Sequence, residues 1–371
     1  MPNAVIVHVF GRTDVGRTRE HNEDAFVVAD LTTDRATLLP DVRTHTVGPL
    51  GSLFMVADGM GGAAAGEIAS QMATEAVLTE LRATWIAATS HDAETFASAL
   101  RVAGESANTT IYEYATRHPE NRGMGSTATV AGLLHDTLYI AQVGDSRAYL
   151  VRNGQARMLT KDQSLVQRLV DAGELTEEEA EHSNRRNIIL QALGPEPVVR
   201  IDLTHQRVSK GDVLILCSDG LSGQVKADEI GRVVASEADL VAVCKQLIDL
   251  ANESGGPDNI TVIAARFDGD GLTDGQGAGA EAVQHRVFTL ESEGRPTVPV
   301  SAITDEALKA MPTLELNAGV RSTPPTGSQR AIDIPPPTPR GPSLTVLRAI
   351  TVVIIVAIAG YYLLTLLRPA P

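Results

Sequence analysis

"FMVADGMGG", residues 54–62, runs an apolar stretch into Asp58 and then removes most side chains from the backbone beyond it. One aspartate beside glycines is ordinary turn chemistry. Here the junction is repeated, and the repetition decides the reading. "YIAQVGDS" (139–146) delivers Asp145, "LILCSDG" (214–220) delivers Asp219, and "GGPDNITVIAA" (255–265) starts a strand just after Asp258. Near the N-terminus "TREHNEDAF" (18–26) sets Glu23 and Asp24 immediately before another strand. Strand ends at one edge of a sandwich can converge, and carboxylates gathered there repel strongly unless a cation neutralises them.

Working outward from residue 58, strand-like runs appear at 25–30, 52–58, 126–134, 137–145, 147–159, 213–219 and 259–267. Asn153-Gly154, between apolar runs, is a hairpin signal. Two long helical patterns follow the first strands. One covers 63–85, with Ile68, Met72, Ala76, Leu78 and Leu81 near one face. The other covers 93–117, with Phe96, Leu100, Ala103, Ala107, Ile111 and Tyr114 at spacings of three and four. Two more, at 227–235 and 239–252, precede the last strand. Strands do not alternate regularly with helices, and tight connections such as His135-Asp136 favour antiparallel pairing, which excludes a doubly wound parallel sheet. The expected class is α+β: a four-layer α-β-β-α sandwich of two antiparallel sheets flanked by helix pairs. Residues 160–193, polar and charged, sit between strands as a lid beside a site or as a surface excursion.

The donor chemistry chooses the ion. Carboxylates and backbone carbonyls without a His or Cys cluster suit a hard cation, Mg2+ or Mn2+, over zinc. Glycines after Asp58 let a metal or its waters approach the main chain, and the Gly59 carbonyl is itself a candidate ligand. Two such ions lower the pKa of a bridging water from ~15.7 toward neutrality and supply a nucleophile. A phosphoryl group is the natural electrophile, and Arg19, just upstream of Glu23 and Asp24, offers a planar fork for its oxygens.

Six ordered motifs then carry a resemblance: "RxxxED" (Arg19 to Asp24), "ADGMGG" (Ala57 to Gly62), "GMGSTAT" (Gly123 to Thr129), "VGDSRAYL" (Val143 to Leu150), "CSDGL" (Cys217 to Leu221) and "GPDNITV" (Gly256 to Val262). In order and spacing, over roughly residues 8–267, they resemble the metal-dependent protein phosphatase 2C (PPM) family of serine/threonine phosphatases, in the form of a bacterial member with a C-terminal membrane anchor. The resemblance implies a binuclear Mn2+/Mg2+ centre in which Asp58 bridges both ions and Gly59 ligates through its carbonyl. Glu23 would complete one ion, and Asp219 and Asp258 the other. It makes Arg19, Asp24 and Asp58 the catalytic residues, with Arg19 on the substrate phosphate and Asp24 orienting water. A third, weaker ion would use Asp145 together with Asp219, and residues 160–193 would be a mobile flap near substrate. The expected activity is hydrolysis of phosphoserine and phosphothreonine in proteins, countering serine/threonine kinases. One departure matters: many eukaryotic relatives carry a histidine after the Asp-Gly pair, where this chain has Met60. That side chain cannot protonate the leaving alcohol, and a water on the metal is the donor left.

Two rival readings fail on particular residues. A thiol-based tyrosine phosphatase needs arginine six residues beyond its cysteine, and Gly223 and Leu250 stand there after Cys217 and Cys244. A binding-only relative predicts a lost ligand position, and none is lost.

Composition bounds the rest. A net charge of −15 over 371 residues argues against a nucleic-acid partner. The two cysteines show no zinc or redox spacing and fit a reduced compartment. Regular patterning ends at Phe267, giving a catalytic domain over 1–267 and a disordered Gly/Pro-rich linker over 268–345 with a reach on the order of 50 Å. "DGDGLTDGQGAGAE" (268–281) is no calcium loop, because Thr273 stands where that loop needs glycine and Gly279 where it needs glutamate. Residues 349–367 run without a charge for about 28 Å as a helix, so a transmembrane helix is expected over 346–368. With no secretory signal at the N-terminus, the expectation is a single-pass protein of the bacterial inner (cytoplasmic) membrane with its catalytic domain in the cytoplasm. Membrane-associated serine/threonine kinases and their substrates are the expected partners.

Overall fold

A strand that is apolar at every position must be covered on both faces. The computed structural model, which describes residues 4–37, 41, 43–61, 65–181, 183–275 and 281–290, shows what covers them. One sheet holds, in spatial order, β10 (Gln155–Met158), β9 (Arg147–Arg152), β12 (Val213–Cys217), β13 (Ile260–Asp268), β1 (Ile6–Asp14) and β4 (Arg43–Thr46). The other holds β11 (Asp202–Arg207), β8 (Thr137–Val143), β7 (Ala128–Leu134), β5 (Ser52–Met60), β2 (Asp24–Asp30) and β3 (Arg35–Thr37), with the two-residue β6 (Gly125–Ser126) on the end of β5. Every pairing between these strands is antiparallel.

Three cores make four layers. In β5, Phe54 and Val56 face the core between the sheets, while Leu53, Met55 and Ala57 face a second core. That second core is closed by α1 (Ala65–Leu81) and α2 (Ala93–Arg117). On the other side, β13 sends Ile263, Ala265 and Phe267 between the sheets and Ile260, Val262 and Ala264 against a second helix pair. That pair is α6 (Ala227–Ser236) and α7 (Leu240–Glu253). The expected α-β-β-α sandwich is therefore present.

The second long helix runs over the expected 93–117, opened by the Asp92 side chain accepting from the Thr95 N–H at 2.8 Å. The first differs from its reading. Leu78 and Leu81 are buried as expected, but the rest of its buried stripe is Ala65, Ala69, Ala73 and Val77, whereas Ile68, Met72 and Ala76 are only half-buried. Small residues lie at its centre because α1 packs closely on both the sheet and α2, and the helix ends in a π-helical turn at Arg82–Ile86 that buries Trp85. Asn153 and Gly154 both take positive φ, 54° and 75°, as the hairpin joining β9 to β10 requires. Residues 160–193 contain two short helices, α3 (Leu165–Asp171) and α4 (Glu177–Glu181).

The ordered chain does not stop at Phe267. Leu272 and Leu290 are buried, and residues 281–290 lie along β11, where Phe288 donates its N–H to the Leu203 carbonyl at 2.9 Å. That edge strand offers unpaired backbone groups, and this part of the expected linker pairs with them. The apolar run at 349–367 lies outside the described residues. Among the described residues no helix is long and apolar enough to cross a membrane.

Candidate metal centre

The carboxylates meet because antiparallel strands from both sheets end at the same edge. The register of β2 on β5 sets Asp24 opposite Asp58. In the other sheet Asp219, one residue past Ser218 at the end of β12, opens the one-turn helix α5 (Asp219–Ser222), and Asp258 precedes the neighbouring β13. Asp145 sits in the turn from β8 to β9, where the chain crosses between sheets, and Arg19 and Glu23 lie on the loop from β1 to β2. Asp58 feels the charges of Asp24, Asp219, Asp258 and Asp145, and Arg19 those of Asp258, Glu23 and Asp58. All the expected side chains therefore gather at one edge, with the Gly59 main chain beside them.

Burial, with repulsion from neighbouring carboxylates, holds Glu23, Asp24, Asp58, Asp145 and Asp219 above the ordinary carboxylate range. Asp58 is raised well above it by burial first and by four neighbouring aspartates after that. Burial also raises Asp145 well above it. Asp24 is pushed up to about 7, chiefly by burial, although hydroxyls from Thr261 and Ser218 oppose the shift. Asp219 is pushed up to about 6 by burial and by Asp258, and Glu23 is raised by burial. Buried oxygens with no partner are left on Asp24, Asp145 and Asp219, the Oδ1 atom in each case. Hard oxygen donors, orphaned and charged alike, are what a pair of Mn2+ or Mg2+ ions would satisfy, so the residues present fit the ions. Among the described residues no three acid, His or Cys side chains close into a ready metal cage. The acids form an open ring of like charge. Arg19 supplies one positive partner, its Nη2 lying 2.9 Å from Asp258 Oδ2, with 43% of the side chain exposed.

Several residues that shape this edge were not read from the sequence. Ser218 and Thr261 donate their hydroxyls to Asp24 Oδ2 at 2.8 and 2.7 Å, leaving Oδ1 as the open atom. Asn259 accepts from the Glu23 N–H at 2.8 Å and donates to the carbonyls of Val15 and His21, so one buried amide stitches the Glu23 loop to the other sheet. The Thr127 hydroxyl accepts from the Asp58 N–H at 3.0 Å. Gly66, at the start of α1, lies under the Glu23 carboxylate: a Cβ there would stand 2.7 Å from Glu23 Oε1. The missing Cβ of Gly59 also leaves room for the carbonyls of Gly66 and Glu23. The signal for Ser218, Asn259 and Thr261 was their position next to the acidic residues. Gly66 had only a glycine at a helix start to mark it.

Cys217 is fully buried, and burial pushes its thiol up to about 12, which fits a small hydrophobe and no nucleophile.

Residues 37–262 match the family model described as Protein phosphatase 2C. This chain belongs to the protein phosphatase 2C family. Among curated proteins it is 36% identical over 262 residues to the serine/threonine phosphatase stp of Listeria monocytogenes, a match covering 71% of this chain and 96% of that one. Among solved structures, it superposes on the S. agalactiae serine/threonine phosphatase with a TM-score of 0.62 and 33% identity, covering 70% of this chain and 99% of the other. The catalytic domain of PstP, a serine/threonine phosphatase of Mycobacterium tuberculosis, was solved in complex with two manganese ions. It superposes with a TM-score of 0.58 and 32% identity, covering 71% of this chain and 100% of that chain.

Proposed function

We propose that this protein is a metal-dependent phosphatase that hydrolyses phosphoserine and phosphothreonine in proteins and so counters serine/threonine kinases. The observation that carries it is the edge where Glu23, Asp24, Asp58, Asp145, Asp219 and Asp258 meet, with three orphaned carboxylate oxygens and the Arg19 guanidinium alongside. Asp58, the Gly59 carbonyl, Glu23, Asp219 and Asp258 would hold two Mn2+ or Mg2+ ions, and Asp145 with Asp219 a third. When bound, such ions neutralise the acids and make water a nucleophile near neutral pH.

The chain's own residues do the rest. Ser218 and Thr261 pin Asp24 Oδ2, so Asp24 presents Oδ1 in one orientation as a proton acceptor toward an attacking water. Arg19 is half-exposed beside Asp258, and its planar fork would bind phosphate oxygens. Met60 offers no proton, so this side chain does not protonate the leaving alcohol. The family match and the manganese-bound neighbour support this reading.

The run at 349–367 is read as a membrane span that anchors a cytoplasmic head to the inner membrane, near membrane-associated kinases and their substrates. Hydrolysis of a phosphothreonine peptide by the full chain, with Mn2+ and again with excess chelator, tests the activity. Absence of metal-dependent turnover would overturn it. Recovery of the full chain in the soluble fraction after membrane sedimentation would overturn the anchor.

A further inference from the structure

Among the described residues, the edge strand β11 has no partner on its outer side other than the chain beyond the catalytic core. Residues 284–288 lie antiparallel to it: Thr204 bridges Val287, the His205 N–H donates to the Arg286 carbonyl at 3.0 Å, and the Gln284 N–H donates to Gln206 Oε1 at 3.1 Å. Phe288 packs edge-on against Tyr139 and His205, with ring centroids 5.3 and 5.4 Å away, and Leu290 is 1% exposed in the core under α2. At its start, Arg152 donates to the Glu281 carbonyl and Arg286 pairs with the Glu281 carboxylate.

The position of this segment matters more than its burial. β11 is the first element after the 160–193 excursion, and its first residue grips the root of that excursion. Gln163 donates to Asp202 Oδ2 at 2.8 Å, while its Oε1 accepts from the Gly144 N–H at 2.9 Å, one residue before Asp145. Beside it, Arg147 clamps Asp162 with Nε and Nη2. The antiparallel register sends Phe288 and Leu290 toward the Asp202 end of β11, the end that faces the acidic edge.

We propose that residues 281–290 form a cis clasp: they complete the edge of the catalytic sheet, fix β11 and the Gln163–Asp202 contact at the flap root, and so position the flap for folded phosphoprotein substrates. Phe288 and Leu290 are its anchors and act as positioning residues, since Phe288 packs on Tyr139 and His205 and Leu290 lies in the apolar core. The effect on turnover rests on the phosphatase reading; the effect on flap motion does not.

The test uses the full chain with Phe288→Ser and Leu290→Ser together. Amide hydrogen exchange over 161–193 is expected to rise at least about fivefold as the clasp is released. KM for an autophosphorylated kinase domain is expected to rise about as much, while kcat/KM for para-nitrophenyl phosphate stays within about twofold, because a small aryl phosphate needs no flap. The conservative pair Phe288→Leu with Leu290→Met should restore both. Release of 284–290, seen by exchange, with unchanged flap exchange and unchanged KM would overturn the clasp. So would a parallel loss on both substrates that simply follows a lower Tm. If the double variant loses its cooperative melt, Phe288→Ala alone carries the same readouts. Lack of any Mn2+-dependent turnover in the unaltered chain would sink the phosphatase reading and leave flap exchange to judge the clasp.

Discussion

Gly66→Ala separates metal affinity from stability. The new Cβ would stand 2.7 Å from both Cδ and Oε1 of Glu23 and 3.0 Å from Oε2. Ordinary contact begins near 3.4 Å, so the carboxylate must retreat by about 0.7 Å. Because the obstructed group is the end of a flexible side chain, the backbone can stay in place. Alanine also favours the helix over glycine by up to ~1 kcal/mol, so the fold should be no less stable. A ligand displaced on this scale costs about 10–100-fold in metal affinity, or roughly 1.4–2.8 kcal/mol. Calorimetric titration with Mn2+ measures the first effect and a melt in excess chelator the second. Mn2+ affinity within twofold of the parent would refute the placement of Glu23 as a ligand held against α1.

Three further outcomes follow from the same edge. Chelator-treated protein should lose stability as pH rises from about 4 to about 7: Asp24 and Asp219 titrate near 7 and 6 when folded against 3.8 ordinarily, so between those values the folded state holds more protons and stability falls with pH. Chemical denaturation across that window checks it, and saturating Mn2+ should flatten the slope. Asp219→Asn should abolish Mn2+-dependent hydrolysis while raising the metal-free Tm, because it removes one charge from the ring; near-normal turnover would refute its role. Ser218→Ala removes a donor that holds Asp24 in its charged form, so the acid limb of the kcat–pH profile should move upward, and an unmoved limb would show that Asp24 is not the acceptor.

What the sequence disclosed and what it hid have physical causes. Asp58, Asp219 and Asp258 were legible because each adjoins a strand buried on both faces, whose unbroken apolar run makes the carboxylate conspicuous. The same property exposed the four layers. β1 was not read as a strand, although it lies between β13 and β4, because His8 and Gly11 interrupt its apolar pattern. β11, "DLTHQR", went unread because five of its six side chains are polar, and what covers its outer edge comes from some eighty residues further on. That covering segment, "EAVQHRVFTL", is half apolar but short and set in a run rich in Gly, Pro, Ser and Thr, so composition over the whole run marks it as linker. Contacts made by absent atoms, as at Gly66, leave no pattern at all.

The acidic ring draws its members from both sheets: Asp24 and Asp58 belong to one, Asp219 and Asp258 to the other. Its geometry is therefore a gauge of how the two sheets lie on one another. A slip of either sheet along the other by a single residue, about 3.3 Å, would separate the two halves of the set. Ions bound across them would act as a rivet through the sandwich, so the protein would be charged with metal only after its halves had docked correctly. Metal uptake would then serve as a proof of assembly, and a misdocked chain would stay inert instead of becoming a phosphatase with altered selectivity.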